Sequence, residues 1–237
     1  MKNFLLVFLL FLFAIVITNA QSNLWTDVPE SQITQTGERY IIPNAYRTLT
    51  LNLSEANSIL KAAPMEYTSV AYEGTSIIIL PMPDGTFQSF KFWESPTMAP
   101  ELQALYPEIR TYTGQGIDDA FATLKFDLTP HGFHAQILSP NGRVFIDPYS
   151  KGDVSNYISY YTKDFHKLDA VFDCQTVFDN YQPEPDYEID TPTGPQLRTY
   201  RLAVAATVEY TAFHGGTVAL GLAAVTTSVN RVNGVYE

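Results

Sequence analysis

Four histidines, one cysteine and a few acidic pairs are the residues in this sequence most able to do chemistry. The histidines are His131, His134, His166 and His214. None is followed by glutamate, so the HExxH arrangement that presents two zinc ligands and a base from one helix face is not present. His131 and His134 stand at H-x-x-H spacing around a glycine in a strand-and-turn context. Strand alternation predicts that they point to opposite faces, as strand or surface histidines rather than metal ligands. His214 falls in the turn before the last helical pattern and reads as a loop residue. Gly114-Gln115-Gly116 reads as a tight loop, a weak phosphate signal with no helix motif behind it. Asp118-Asp119 lack spaced partners and read as solvated charge. No Ser/His/Asp set stands out.

Cys174 is set apart by its position, in VFDCQTVF, 24 residues before Arg198 and just ahead of an acidic stretch. Two readings stand side by side. Flanked by Val171, Phe172, Val177 and Phe178, it fits a buried small apolar side chain. As a thiolate it fits a zinc ligand offered to a partner domain. A single cysteine excludes an intrachain disulfide framework.

These residues must be positioned by a mostly β-structured body. Tyr46 to Leu53 alternates, with Leu49, Leu51 and Leu53 on one face, and Ser54 is a plausible N-cap for a short helix stopped by Pro64. Residues 76–80 and 86–93, joined by PMPDG, read as a hairpin with Asp84-Gly85 as its turn. Asp119 to Leu128 places Ala120, Ala122, Leu124, Phe126 and Leu128 on one face, and Phe133, Ala135 and Ile137 line the next strand. Ser139-Pro140-Asn141-Gly142 is a turn leading into Arg143 to Asp147. Such closely spaced strands predict an antiparallel β-rich domain with one or two short helices. Residues 181–196 (YQPEPDYEIDTPTGPQ), with four prolines and four acidic residues, read as an exposed linker open to proteolysis. Beyond it, Tyr200 to Tyr210 alternates like a central strand. After Gly215-Gly216, Val218, Leu222, Val225, Val229, Val232 and Tyr236 form the stripe of an amphipathic helix begun near Thr217. A strand and helix of this kind cannot bury both apolar faces against each other alone, so their partners are expected beyond Glu237.

Met1-Lys2-Asn3 followed by the apolar run Phe4 to Ile17 matches a secretory signal peptide, with small residues at Thr18 and Ala20 and cleavage expected between Ala20 and Gln21. The run is shorter than the roughly 20 residues of a membrane span. With 14% aromatic and only 16% charged residues, the chain is expected to fold. A net charge of −11 argues against nucleic-acid binding, which needs clustered Lys and Arg.

The segment LRTYRLAVAATVEYTAFHGG, with the helix ending NRVNGVYE, resembles the opening strand and first helix of a metzincin catalytic domain. The similarity is to the bacterial reprolysin-like (adamalysin-type) zinc metallopeptidases. The upstream YRTLTLNLSEANSILKAAP segment and strand-rich body resemble their propeptides. The resemblance implies an α+β chain: signal peptide 1–20, antiparallel β-rich propeptide 21–180, linker 181–197, and residues 198–237 as the first strand–helix unit of an α/β catalytic domain. It implies an exported zymogen, secreted or at the cell surface, acting on protein or peptide substrates after release in the region of Thr193, Gly194, Leu197 and Arg198. In the family, an HExxHxxGxxH helix holds the zinc and its Glu serves as base. These 237 residues contain no such helix and are expected to be inactive alone and to take up no tight zinc. Cys174 would be a switch thiolate on that zinc, although Gln175 stands where such switches often have glycine. The alternative is a secreted β-rich binding or adhesion module without catalysis. A stand-alone inhibitor offering Cys174 to another enzyme's zinc would leave the apolar faces after Tyr200 unfilled.

Overall fold

A computed structural model of the chain describes residues 24–74, 76–165 and 201–236. The N-terminal stretch with Ala20 and Gln21, expected to be a signal peptide, His166, Cys174, the acidic proline-rich stretch 181–196, and Thr193, Gly194, Leu197 and Arg198 lie outside the described residues.

The body is one antiparallel sheet of nine strands: β1 (Trp25–Asp27), β2 (Arg47–Leu51), β3 (Ile77–Pro81), β4 (Phe87–Glu94), β5 (Arg110–Gly116), β6 (Thr123–Thr129), β7 (Gly132–Ser139), β8 (Gly142–Pro148) and β9 (Asn156–Tyr161). Their spatial order is β1-β2-β9-β8-β7-β6-β5-β4-β3, a meander from β3 to β9 whose far edge is completed by the N-terminal strands. The sheet curls into a near-barrel. Arg47 on β2 donates to the carbonyls of Met82 and Thr86 in the β3–β4 turn, and the Ser159 hydroxyl of β9 donates to the Pro81 carbonyl at 2.8 Å. Alternation decides what the curl encloses. Leu49 and Leu51, Phe90 and Phe92, Leu124 and Phe126, Phe133 to Ile137 in alternation, and Val144 and Ile146 are all buried in one core. Tyr112 stacks on Phe126 at 4.8 Å, and Trp25 meets Phe133 edge-on at 5.3 Å.

Short helices decorate this sheet: α1 (Leu53–Lys61), α2 (Ser69–Glu73) and α3 (Pro100–Leu105). The cap of α1 is Asn52, whose side chain accepts from the Glu55 N–H at 3.1 Å, so Ser54 lies inside the helix and Leu53 begins it rather than ending a strand. Gly114-Gln115-Gly116 is the end of β5, not a loop. A Cβ at Gly114 would lie 2.8 Å from the Lys91 carbonyl oxygen and one at Gly116 2.0 Å from that of Asp119, so glycine here serves close backbone approach. Asp118 and Asp119 tie loops together. Asp118 accepts from the Ser89 N–H, while Asp119 accepts from the Ser139 hydroxyl and the Phe121 N–H.

The C-terminal segment differs most from its pattern. Residues 201–207 carry no regular structure and are exposed, and Val208–Phe213 is a helix, α4. A strand needs a neighbour to take its backbone hydrogen bonds, and no described strand pairs with this segment. Thr207 instead caps a helical turn by accepting from the Tyr210 N–H, and Gly215 and Gly216, at φ +108° and +79°, reverse the chain. The long helix α5 (Val218–Tyr236) begins where the spacing places it. Yet the valine stripe is not the face it lays on the sheet. Gly221, Ala223, Ala224, Thr226, Thr227 and Asn230 are buried, while Val218 and Val232 are 72% and 51% exposed.

Candidate functional site

The outer face of β6, β7 and β8 carries what their alternation excludes from the core. Lys125 and Asp127 stand opposite Gln136 and His134, with Asp147 on β8 beyond. Left to solvent these would be ordinary surface polar groups. Helix α5 covers them, and Lys125, Asp127, Gln136 and Asp147 are all buried. Buried polar groups need partners, and the small residues of the helix let its own polar side chains reach Asp127 and Asp147. Thr227 Oγ1 donates to Asp127 Oδ1 at 2.9 Å, and Asn230 Nδ2 donates to the Phe126 carbonyl at 3.0 Å. Arg231 Nη2 donates to Asp147 Oδ1 at 2.5 Å with its guanidinium 4.8 Å from the Phe145 ring. Gly234 sits so close that a Cβ there would lie 2.8 Å from Lys125 Cγ. A small apolar contact supports the arrangement, with Leu222 and Ala223 packed against Met98, Leu102, Tyr106 and Ile109.

Asp147 accepts from the Tyr160 hydroxyl as well, at 2.9 Å. Burial, then the Asp147 charge, pushes the Tyr160 phenol far above its ordinary range, so it stays a donor. Burial works against the charged form of Arg231, but Asp147 outweighs it and the guanidinium is held above its ordinary pKa. The result is a buried ion pair between sheet and helix, closed by a tyrosine.

Beside this network a cleft of about 260 Å³ opens between the sheet, the 38–41 segment and the two C-terminal helices. It gathers His131, His134 and His214. Alternation predicts His131 and His134 on opposite faces. Gly132 overturns this, because its φ of +102° turns the chain between them and both rings come to the same cleft. His131 Nε2 donates to the Leu220 carbonyl at 2.9 Å, and His134 Nδ1 donates to Asp127 Oδ1 at 3.0 Å. His214 follows α4, its ring 5.7 Å from that of His131. Lys151 donates to the Phe213 carbonyl, and Phe213 packs on Tyr40 at 5.1 Å.

The hydrogen bonds of this arrangement clasp the last helix to the sheet. A nucleophile must be bonded to its base, but Thr227 and His134 both donate to the same Asp127 oxygen. Among the described residues no group of three or more His, Cys, Asp or Glu could hold a metal ion. No described helix is long and apolar enough to cross a membrane. Sequence reasoning picked out the histidines but missed Asp127, Asp147, Thr227 and Arg231. The available signal was a charged residue at alternate positions of otherwise apolar strands, set against Thr, Asn and Arg on one face of the last helix. In comparisons with known proteins, no family, no characterised relative and no solved structure matches this chain.

Proposed function

We propose that residues 21–180 are the propeptide domain of an exported zinc metalloendopeptidase precursor, and that residues 198–237 open its catalytic domain, which the sheet holds latent. One observation carries this reading: the sheet grips α5 by its small and polar face, through Thr227, Asn230 and Arg231, and leaves Val218, Val232 and Tyr236 of the stripe exposed and Leu222, Val225 and Val229 half-buried. A helix that ended its packing here would bury its apolar stripe first. Gripping the other face leaves the stripe for the remainder of a catalytic core while a second domain holds the helix from outside. The acidic, proline-rich stretch between the two parts is where cutting would separate them. The described residues supply no zinc ligand set, so in this reading the zinc belongs to histidines encoded past Glu237, and Cys174 is the propeptide thiol offered to it.

The coding sequence downstream of Glu237 tests the proposal. An HExxHxxGxxH motif within about 150 residues, one domain's length, is expected. A stop codon directly after Glu237 in a complete reading frame would overturn it and leave a β-rich binding module. In the full precursor, Cys174→Ala and Arg231→Met are each expected to raise basal peptide hydrolysis before linker cleavage. Unchanged latency in Cys174→Ala would remove the thiol from the mechanism.

A further inference from the structure

His214 sits among rings. Tyr210 lies 4.4 Å and Phe213 4.9 Å away between centroids on its own side, with His131 of the sheet facing it. Lys151 reaches in from the turn between β8 and β9, its ammonium 4.2 Å from the centre of the Phe213 ring. Among the described residues two carboxylates line the same cleft, and both are engaged elsewhere. Glu38 accepts from the Tyr40 hydroxyl at 2.7 Å, and Asp147 is taken by Arg231 and Tyr160. Glu209, in the first turn of α4, does not line the cleft. A neutral imidazole suits this setting. Burial first, then His131 and Lys151, hold the His214 pKa below its ordinary value.

We propose that acidification detaches the segment 208–236 from the sheet by placing a proton on His214 beside Lys151 and His131. Docking lowers the proton affinity of His214, so the docked form is favoured at neutral pH. It loses that advantage as the pH falls below about 6.5, where the undocked imidazole takes up its proton first. His134 lines the same cleft and donates to Asp127 within the sheet itself. His131 faces His214 across the cleft and donates from Nε2 to the Leu220 carbonyl of the same segment, so this contact too is lost on detachment. The segment carries the contacts that fail with it, from Phe213 on Tyr40 to Thr227 on Asp127.

Amide hydrogen exchange on the whole chain tests this, read as protection factors corrected for the intrinsic effect of pH. Between pH 7.5 and 5.5, protection over 218–236 is expected to fall at least about threefold relative to β6 and β7, each unit of pKa difference being worth a factor of about ten. His214→Phe, a neutral ring, is expected to abolish the relative fall, and His214→Lys to give low protection at both values. A wild-type chain with no relative fall, or a His214→Phe chain that falls like wild type, overturns the proposal. If His214→Phe is already unprotected at pH 7.5, His214→Gln is read by the same criterion. The readout requires no peptidase activity, so it stands or falls apart from the precursor reading.

Discussion

At Arg231 a guanidinium bridges two parts of the chain 84 residues apart, reaching Asp147 while stacking on Phe145. Its side chain is 25% exposed, whereas that of Asp147 is 3% exposed. Removing the cation therefore leaves a buried carboxylate with only the Tyr160 hydroxyl. Arg231→Met is expected to cost about 3 kcal/mol in urea unfolding of the whole chain, the range for breaking one side of a buried pair. Thr227→Val removes a donor from buried Asp127 and is expected to cost about 1–2 kcal/mol by the same measurement. A cost below a few tenths for both would mean that the network is not a structural contact in solution. The polarity of these residues is visible in the sequence. Their burial is not, because strands 100 residues upstream create it.

The helix α5 shows how pattern and packing part company. Its period of 3.6 and its start after Gly216 follow from local residues, and the helix forms where the spacing predicts. Which face it buries here depends on the surface it meets, and that surface is the polar outer face of a sheet. Small residues win because they allow close approach, with Gly234 nearest to the Lys125 stem. Gly234→Val is expected to weaken docking by about 1–3 kcal/mol through overpacking, despite valine's better helix propensity. Exchange protection over 218–236 would show it, falling while β6 and β7 keep theirs. Val232→Thr, on the exposed stripe, is expected to change stability by no more than about 0.5 kcal/mol. If the two variants behaved in the opposite way, the buried face assigned to α5 would be wrong. The absence of a strand over 201–210 belongs to the same scale. Alternation expresses readiness to pair, and Thr207 and the two glycines make a helical turn the local option when no strand lies alongside.

For the whole molecule, the sheet and the docked helix respond to acid through different groups. The N-terminal loop is pinned where Glu30 accepts from Tyr46, Tyr149 and Arg39, and β2 is braced by Arg47 on Asp27. The Tyr46 hydrogen bond holds the Glu30 pKa below its ordinary 4.5, and the Arg47 hydrogen bond holds Asp27 below 3.8. Both carboxylates bind protons less readily when folded. Their stabilisation is present above those values and is lost as the pH falls through the folded pKa. The thermal midpoint of the sheet is expected to hold between pH 7 and 5 and to decline below about 4.5. Glu30→Gln should start lower and decline less steeply. A sheet that softened together with the helix near pH 6 would contradict the separation of the two transitions.

Much of this architecture can be read directly from the chain. The hairpin at Asp84-Gly85, the alternation of Leu124 and Phe126, the 139–142 turn and the start of the last helix are short-range signals, carried by residues within one turn or one strand of each other. They identify an antiparallel β-rich body and a separate C-terminal helix. Pairing is a long-range matter. Strands β1 and β9 find places on either side of β2, and Gly132 brings His131 and His134 to one cleft, only when distant segments meet. The clasp on α5 is of that kind, because burial of Asp127 and Asp147 depends on a helix arriving from 100 and 84 residues away. A residue's chemistry is local, but the dielectric around it and its hydrogen-bond partners are properties of the folded chain, and here they turned a row of surface charges into the grip on the last helix.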